Sequence, residues 1–264
     1  MDFRLGLGLN EGGRSGVAPP AARWLSVGSA GAREGAAGYD AGRLAALEAI
    51  TGEDLRLLIV FCANTPDPAA VLAGIAAVAP GVPLIGCSST VAIDSSGPRW
   101  DGVVVTALGG TGLSAATGVG RDAAAGLQEA GAAAATGATQ LVERGHHVLV
   151  LLADGQVLNH ERILAGAYCV VGASMPYVGG ASSPDAAFGG TYELFGTEVL
   201  TGGVVGAAIQ SDGPFGEAVG HGWRRVGEPM IVTRSAGGDI YTLDEKPARV
   251  VYLDRLGAPE DAYT

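Results

Sequence analysis

Cysteine, clustered positive charge and long apolar runs are all scarce in this chain of 264 residues. No stretch of eighteen apolar residues occurs, so no membrane-spanning helix is expected. Residues 1–22 lack the basic start and apolar centre of a secretory signal and read as a loose leader. The three cysteines, Cys62, Cys87 and Cys169, cannot all pair with one another, and no C-x-x-C spacing exists. Buried thiols in a reducing compartment follow, and a cytoplasmic setting with them. Sixteen basic residues stand against 27 acidic ones, for a net charge of −11, and the basic residues are scattered. Neither nucleic acid nor an anionic membrane is expected as a partner. Also absent are G-x-S-x-G, a phosphate-binding G-x-x-x-x-G-K-[ST] loop, a complete G-x-G-x-x-G and H-E-x-x-H. His146 and His147 are neighbours on a strand and point to opposite faces, while His160 and His221 stand alone, so no zinc site is expected.

What the chain has is apolar residues, at 48%, and 44 glycines without a collagen period. That combination indicates an ordered core with tight turns and close backbone packing. Strand and helix signals alternate from Trp24 onward. The pattern predicts strands at 24–27, 57–61, 83–87, 91–94 and 103–108, with helices at 40–50 and 68–78. Asp67 and Pro68 supply an N-cap and a first helical position for the second helix. The order then recurs, with strands at 113–118, 148–152, 177–180, 191–195 and 204–209. Its helices are expected at 121–135 and from an Asn159 cap to Val171. Leu-Ala-Gly, a helix end and Pro-aliphatic-aliphatic-Gly occur in both halves, at 72–87 and 164–181. The expectation is an α/β protein with duplicated β-α-β-α-β-β-β halves, 23–110 and 111–210. A four-layer α-β-β-α sandwich would bury both sheets, and a single twisted mixed sheet with helices on both faces is the alternative.

Four segments carry chemistry. Cys87, Ser88, Ser89 and Thr90 lie at the carboxyl end of a strand, where backbone N–H groups and small hydroxyls can hold a ligand; a self-satisfied turn is the competing reading. Cys87 has no neighbouring histidine to activate it and reads as a structural thiol. Gly179, Gly180 and Ser182 form the matching loop of the second half, with Asp185 as an added carboxylate; a plain glycine turn is again the competing reading. Asp154 ends a buried strand, where it can meet a ligand ammonium or simply close an Asx-turn. His221, Trp223 and Arg224 lie on an expected glycine-broken strand at 217–227, suited to an anionic or amphipathic ligand; alternatively Trp223 is core. A hairpin follows around Gly237-Gly238, and Pro247 opens a helix.

Leu-Ile-Gly-Cys-Ser-Ser-Thr (84–90), Val-Gly-Gly-Ala (178–181), Gly-Trp-Arg-Arg-Val-Gly (222–227) and Asp-Glu-Lys-Pro-Ala (244–248) follow one another in an order that resembles the FIST domain family. The resemblance covers about residues 23–264. It implies a sensor domain over 23–243 and the start of a second, FIST C-like module over 244–264. It also implies a non-catalytic role in signal transduction, binding small ligands such as amino acids or small carboxylates and feeding a signalling protein. Some members bind haem through one histidine, so a haem-dependent nitric oxide sensor is an alternative, although no cofactor is expected. A cysteine or serine hydrolase or transferase and an interaction scaffold are further alternatives. Apolar surface left by an absent second module implies self-association.

Overall fold

The computed structural model describes residues 23–31, 37–123, 126–141, 145–185, 187–225, 227–259 and 261. The expected leader, 1–22, lies outside them.

In chain order the first half holds β1 (Trp24–Ala30), α1 (Ala37–Ala49), β2 (Leu55–Ala63), α2 (Pro68–Val78) and β3 (Leu84–Ser88). A short hairpin, β4 (Ala92–Asp94) and β5 (Gly97–Arg99), leads to β6 (Gly102–Gly109). The second half has β7 (Leu113–Gly120), α3 (Leu127–Ala138), β8 (His146–Ala153), α4 (His160–Val171) and β9 (Tyr177–Ala181). Another hairpin, β10 (Glu193–Phe195) and β11 (Glu198–Leu200), precedes β12 (Val204–Ser211). Beyond them come β13 (Val232–Ala236), β14 (Asp239–Leu243), β15 (Lys246–Pro247) and α5 (Ala248–Leu256).

The α/β class expected from the sequence holds. The strands form two main sheets, of order β1-β6-β2-β3-β10-β11 and β7-β12-β8-β9, rather than one. The first four strands of the larger sheet follow the order of the smaller one. In each, the pairing is antiparallel except for the last step, β2–β3 and β8–β9, which is parallel. Strand alternation sorts the core. On β2, Leu58, Val60 and Cys62 join α1 and α2 in one apolar cluster. Leu57, Ile59 and Phe61 face a cluster shared with Val148, Leu152, Val205 and Ile209 of the other sheet. The smaller sheet in turn packs against α3 and α4 through Leu149, Leu151, Ala134 and Ile163.

Each helix pair meets at glycine. A Cβ on Gly74 would lie 1.9 Å from the Tyr39 carbonyl oxygen, and one on Gly166 would lie 1.9 Å from that of Gln128. Only hydrogen fits there, so the backbones touch.

Several boundaries differ from expectation. The helix expected at 121–135 starts later, at Leu127, because residues 121–123 are held elsewhere. Arg121 pairs with Glu198 at 2.8 Å, Asp122 has φ +56°, and the Ala123 N–H donates to the Gly202 carbonyl. Asn159 precedes α4 but has φ +65° and makes no side-chain cap bond, so its role is to turn the chain. Among the described residues of 217–227 no strand forms: they are exposed and join no ladder. The expected strand at 191–195 does form, but it pairs with β3 of the other half. The hairpin around Gly237-Gly238 and the helix after Pro247 are present.

Candidate functional site

The loops after β3 and β9 meet. Their polar groups bond mainly to each other. The Ser183 N–H donates to the Ser88 carbonyl at 3.1 Å, and the Ser88 hydroxyl donates to the Ser183 carbonyl at 2.9 Å while accepting the Tyr192 N–H. The Thr90 N–H donates to Ser183 Oγ, and Thr90 Oγ1 donates to the Pro184 carbonyl. The Ser89 hydroxyl turns to the Val91 carbonyl. Asp185 accepts from the Thr65 N–H at 2.8 Å and from the Tyr192 hydroxyl at 3.3 Å, and its other oxygen accepts the Ala187 N–H. Ser88, Thr90 and Asp185 thus close a seam between the halves, while Ser89 bonds only within the first half.

A second set of bonds ties β10 to the smaller sheet. Glu193 is fully buried, accepting the Ser182 hydroxyl at 2.8 Å on Oε1 and the Gly203 N–H at 3.1 Å on Oε2. Burial pushes its carboxyl up to about 7, against the opposing pull of those two donors, and the nearby Asp154 charge adds to the rise. Asp154 itself accepts Thr191 Oγ1 and the Gln156 N–H on Oδ1, the expected Asx-turn. Cys87 faces Glu193 across the β3–β10 ladder. Burial first, and Glu193 second, push its thiol up to about 12, which leaves no thiolate for nucleophilic chemistry near neutrality. Cys62 is pushed to about 12 in the same way, chiefly by burial.

An open groove of about 320 Å³ lies between β9 and α4. Its floor is Leu151, Ala153, Ile163 and Leu164, and its wall is the exposed strand Tyr177–Ala181, so Gly179 and Gly180 line it. Both glycines belong to β9, as the strand expected at 177–180 has it, and the ladder with β8 runs on to Ala181, so the loop begins only at Ser182. His160 is the one imidazole of the lining. Its Nε2 sits 2.8 Å from the Asp154 carbonyl oxygen, which fixes the ring and leaves Nδ1 for a ligand. Asp154 and Ser182 therefore flank the groove's end without lining it. On the other side of β9, Phe215, Gly216 and Ala218 border a separate hollow with Val148, Pro176 and Val178.

His221, Trp223 and Arg224 lie elsewhere. All three are exposed, and Trp223 at 86% belongs neither to the core nor to the groove. A run with Gly213, Gly216, Gly220 and Gly222 has little apolar content to bury and no strand to join. The sequence reading passed over Ile163, Leu164 and Tyr177, and took His160 only as an isolated histidine. It missed Glu193 as well, whose signal was a lone acid inside Thr-Tyr-Glu-Leu-Phe (191–195).

Among the described residues no group of three or more His, Cys, Asp or Glu is placed to hold a metal ion. No described helix is long and apolar enough to cross a membrane. No curated protein matches the chain. Residues 56–246, well over half its length, match the family model of the FIST N domain, and the chain belongs to that family of signal-transduction sensor domains.

Proposed function

We propose that this chain is a non-catalytic sensor that binds a small ligand in the groove beside β9. The ligand has an apolar part against Leu151, Ile163 and Leu164, and a polar end at His160, as an amino-acid-like molecule or small carboxylate would. The groove itself is the observation that carries this reading: a preformed apolar cleft with one oriented polar group. Gly179 and Gly180 line the site, while Asp154 and Ser182 support it from behind. Ser88 and Thr90 serve the seam, Ser89 bonds within its own half, and the raised Cys87 thiol argues against a cysteine hydrolase. All three cysteines are unpaired, which supports a cytoplasmic setting, with a signalling protein as the downstream partner.

A thermal-shift screen against amino acids, small carboxylates and haemin tests the proposal. A ligand at one hundred times its Kd stabilises the fold by roughly 2.7 kcal/mol. The expected result is a hit among the first two classes that is lost in His160→Ala and Leu164→Asp and retained in Arg224→Ala. A hit indifferent to His160→Ala, or none at all, overturns the site. An intense Soret band with haemin alone would favour the haem reading.

A further inference from the structure

The two sheets present the same edge to two different fates. At β3, the Leu58 N–H bonds the Pro83 carbonyl and the Ser89 N–H bonds the Cys62 carbonyl. At β9, the Leu149 N–H bonds the Pro176 carbonyl and the Ser182 N–H bonds the Ala153 carbonyl. Leu84–Ser88 therefore corresponds to Tyr177–Ala181, residue by residue. Gly86 and Gly179 fall at the same place, each with its missing Cβ pressed on a carbonyl oxygen of the neighbouring strand, Val60 and Leu151.

The outer edge of β3 is filled. β10 pairs with it antiparallel, placing Leu194 opposite Gly86, with the Ser88 N–H bonded to the Tyr192 carbonyl and the Gly196 N–H to that of Leu84. Tyr192, Leu194 and Val199 of this segment then enter the apolar cluster under α2. The outer edge of β9 pairs with no described strand. By the alternation that its bonds to β8 set, the N–H groups of Gly179 and Ala181 and the carbonyls of Tyr177 and Gly179 point outward. The helix behind shows the same vacancy. Leu72 on α2 and Leu164 on α4 each follow a residue whose carbonyl contacts a glycine of the adjacent helix, Val71 on Gly42 and Ile163 on Gly131. Leu72 is 2% exposed, and Leu164, in the groove, is 40% exposed.

We propose that the edge of β9 left unpaired among the described strands receives an extended, uncharged peptide segment of a protein partner, added antiparallel, with a bulky apolar side chain opposite Gly179 entering the groove. The molecule already makes this interface once, between β10–β11 and β3, and that interface defines register and side-chain type. Strand addition of this kind takes its affinity from main-chain bonds and its selectivity from alternate pockets. Charge sets the occupant apart from a second copy. The edge bears no charged residue, whereas two copies at −11 each repel. This inference shares the groove with the small-ligand reading, so ligand and strand exclude each other there.

The test uses a fluorescent peptide, Thr-Tyr-Thr-Leu-Phe with a neutral Ser-Gly tail, which copies residues 191–195 with Glu193→Thr. Fluorescence anisotropy with the full chain is expected to show saturable binding. Ala181→Pro removes an outward N–H while sparing the ladder to β8. It should weaken binding about tenfold, the weight of one such bond. Leu164→Asp should abolish binding, N-methylation of the peptide leucine should weaken it, and Leu47→Asp on α1 should leave it unchanged. Thermal melts identify any variant that fails to fold, and the N-methyl peptide tests the wild-type chain independently of them. Binding indifferent to N-methylation, or no binding, overturns the strand. Concentration-dependent dimerisation lost in Ala181→Pro would assign the edge to a second copy and overturn it too. A small-ligand hit without peptide binding leaves the groove as a ligand site and rejects the strand alone. Peptide binding without a small-ligand hit does the reverse.

Discussion

Glu193 sits in a fully buried position between two donors that belong to the smaller sheet, while its own strand belongs to the larger one. Its folded value of about 7 lies above the ordinary glutamate value of 4.5, so the folded state holds the proton more tightly than the unfolded chain. Stability is then highest below the unfolded value and falls as pH rises towards the folded one. The expected loss between about pH 4.5 and 7 is on the order of 2–3 kcal/mol. Urea unfolding across that range measures it. Glu193→Gln should flatten the profile, and an unchanged slope would remove Glu193 as its source. The cysteines give a second reading at this scale. With Cys62 and Cys87 buried and both pushed to about 12, iodoacetamide near neutral pH should label exposed Cys169 alone. Mass spectrometry of the native protein would show one adduct, and three after denaturation. Labelling of Cys87 in the native state would revive a nucleophilic role for it.

Between elements, the helix pairs depend on the absence of a side chain. Gly166→Ala puts a methyl group 1.9 Å from a backbone oxygen of α3 that no rotamer change can move. A loss of about 1–3 kcal/mol is expected, the usual range for overpacking. Gly216→Ala, with open space around it, serves as the control and should cost little. The α2 segment was readable to the residue, since Asp67 accepts the Ala70 N–H at 2.9 Å and Pro68 opens the first turn. Periodicity also placed β2, β3, β6, β8 and β12, whose apolar runs are buried on both faces. Elements whose limits depend on distant partners were read less well. The start of α3 is decided by Glu198 and Gly202, and the described residues of 217–227 stay irregular, with no described strand paired to them.

At the level of the whole molecule, the cluster of Leu57, Ile85, Leu152 and Val205 joins the two sheets into one interior. Leu57→Ala should therefore cost about 2–5 kcal/mol. Tryptophan fluorescence and far-ultraviolet circular dichroism should still report one transition. Two separated transitions would show that the sheets unfold independently. The candidate site belongs to this scale as well. Gly179 and Gly180 could be named from the chain, but their place in an open edge could not. Both hairpins have the same three-plus-three form, and only the longer connection after β9, residues 182–192, takes β10 across to β3. Local patterns determined by themselves that this is an α/β protein with alternating strands and helices, close glycine packing and no recognisable catalytic motif, because periodicity, capping and spacing act within a few residues. Which strand edge is filled, which remains open, and which acid lies buried at the seam were decided by the tertiary structure alone, because pairing and desolvation depend on neighbours a hundred residues away.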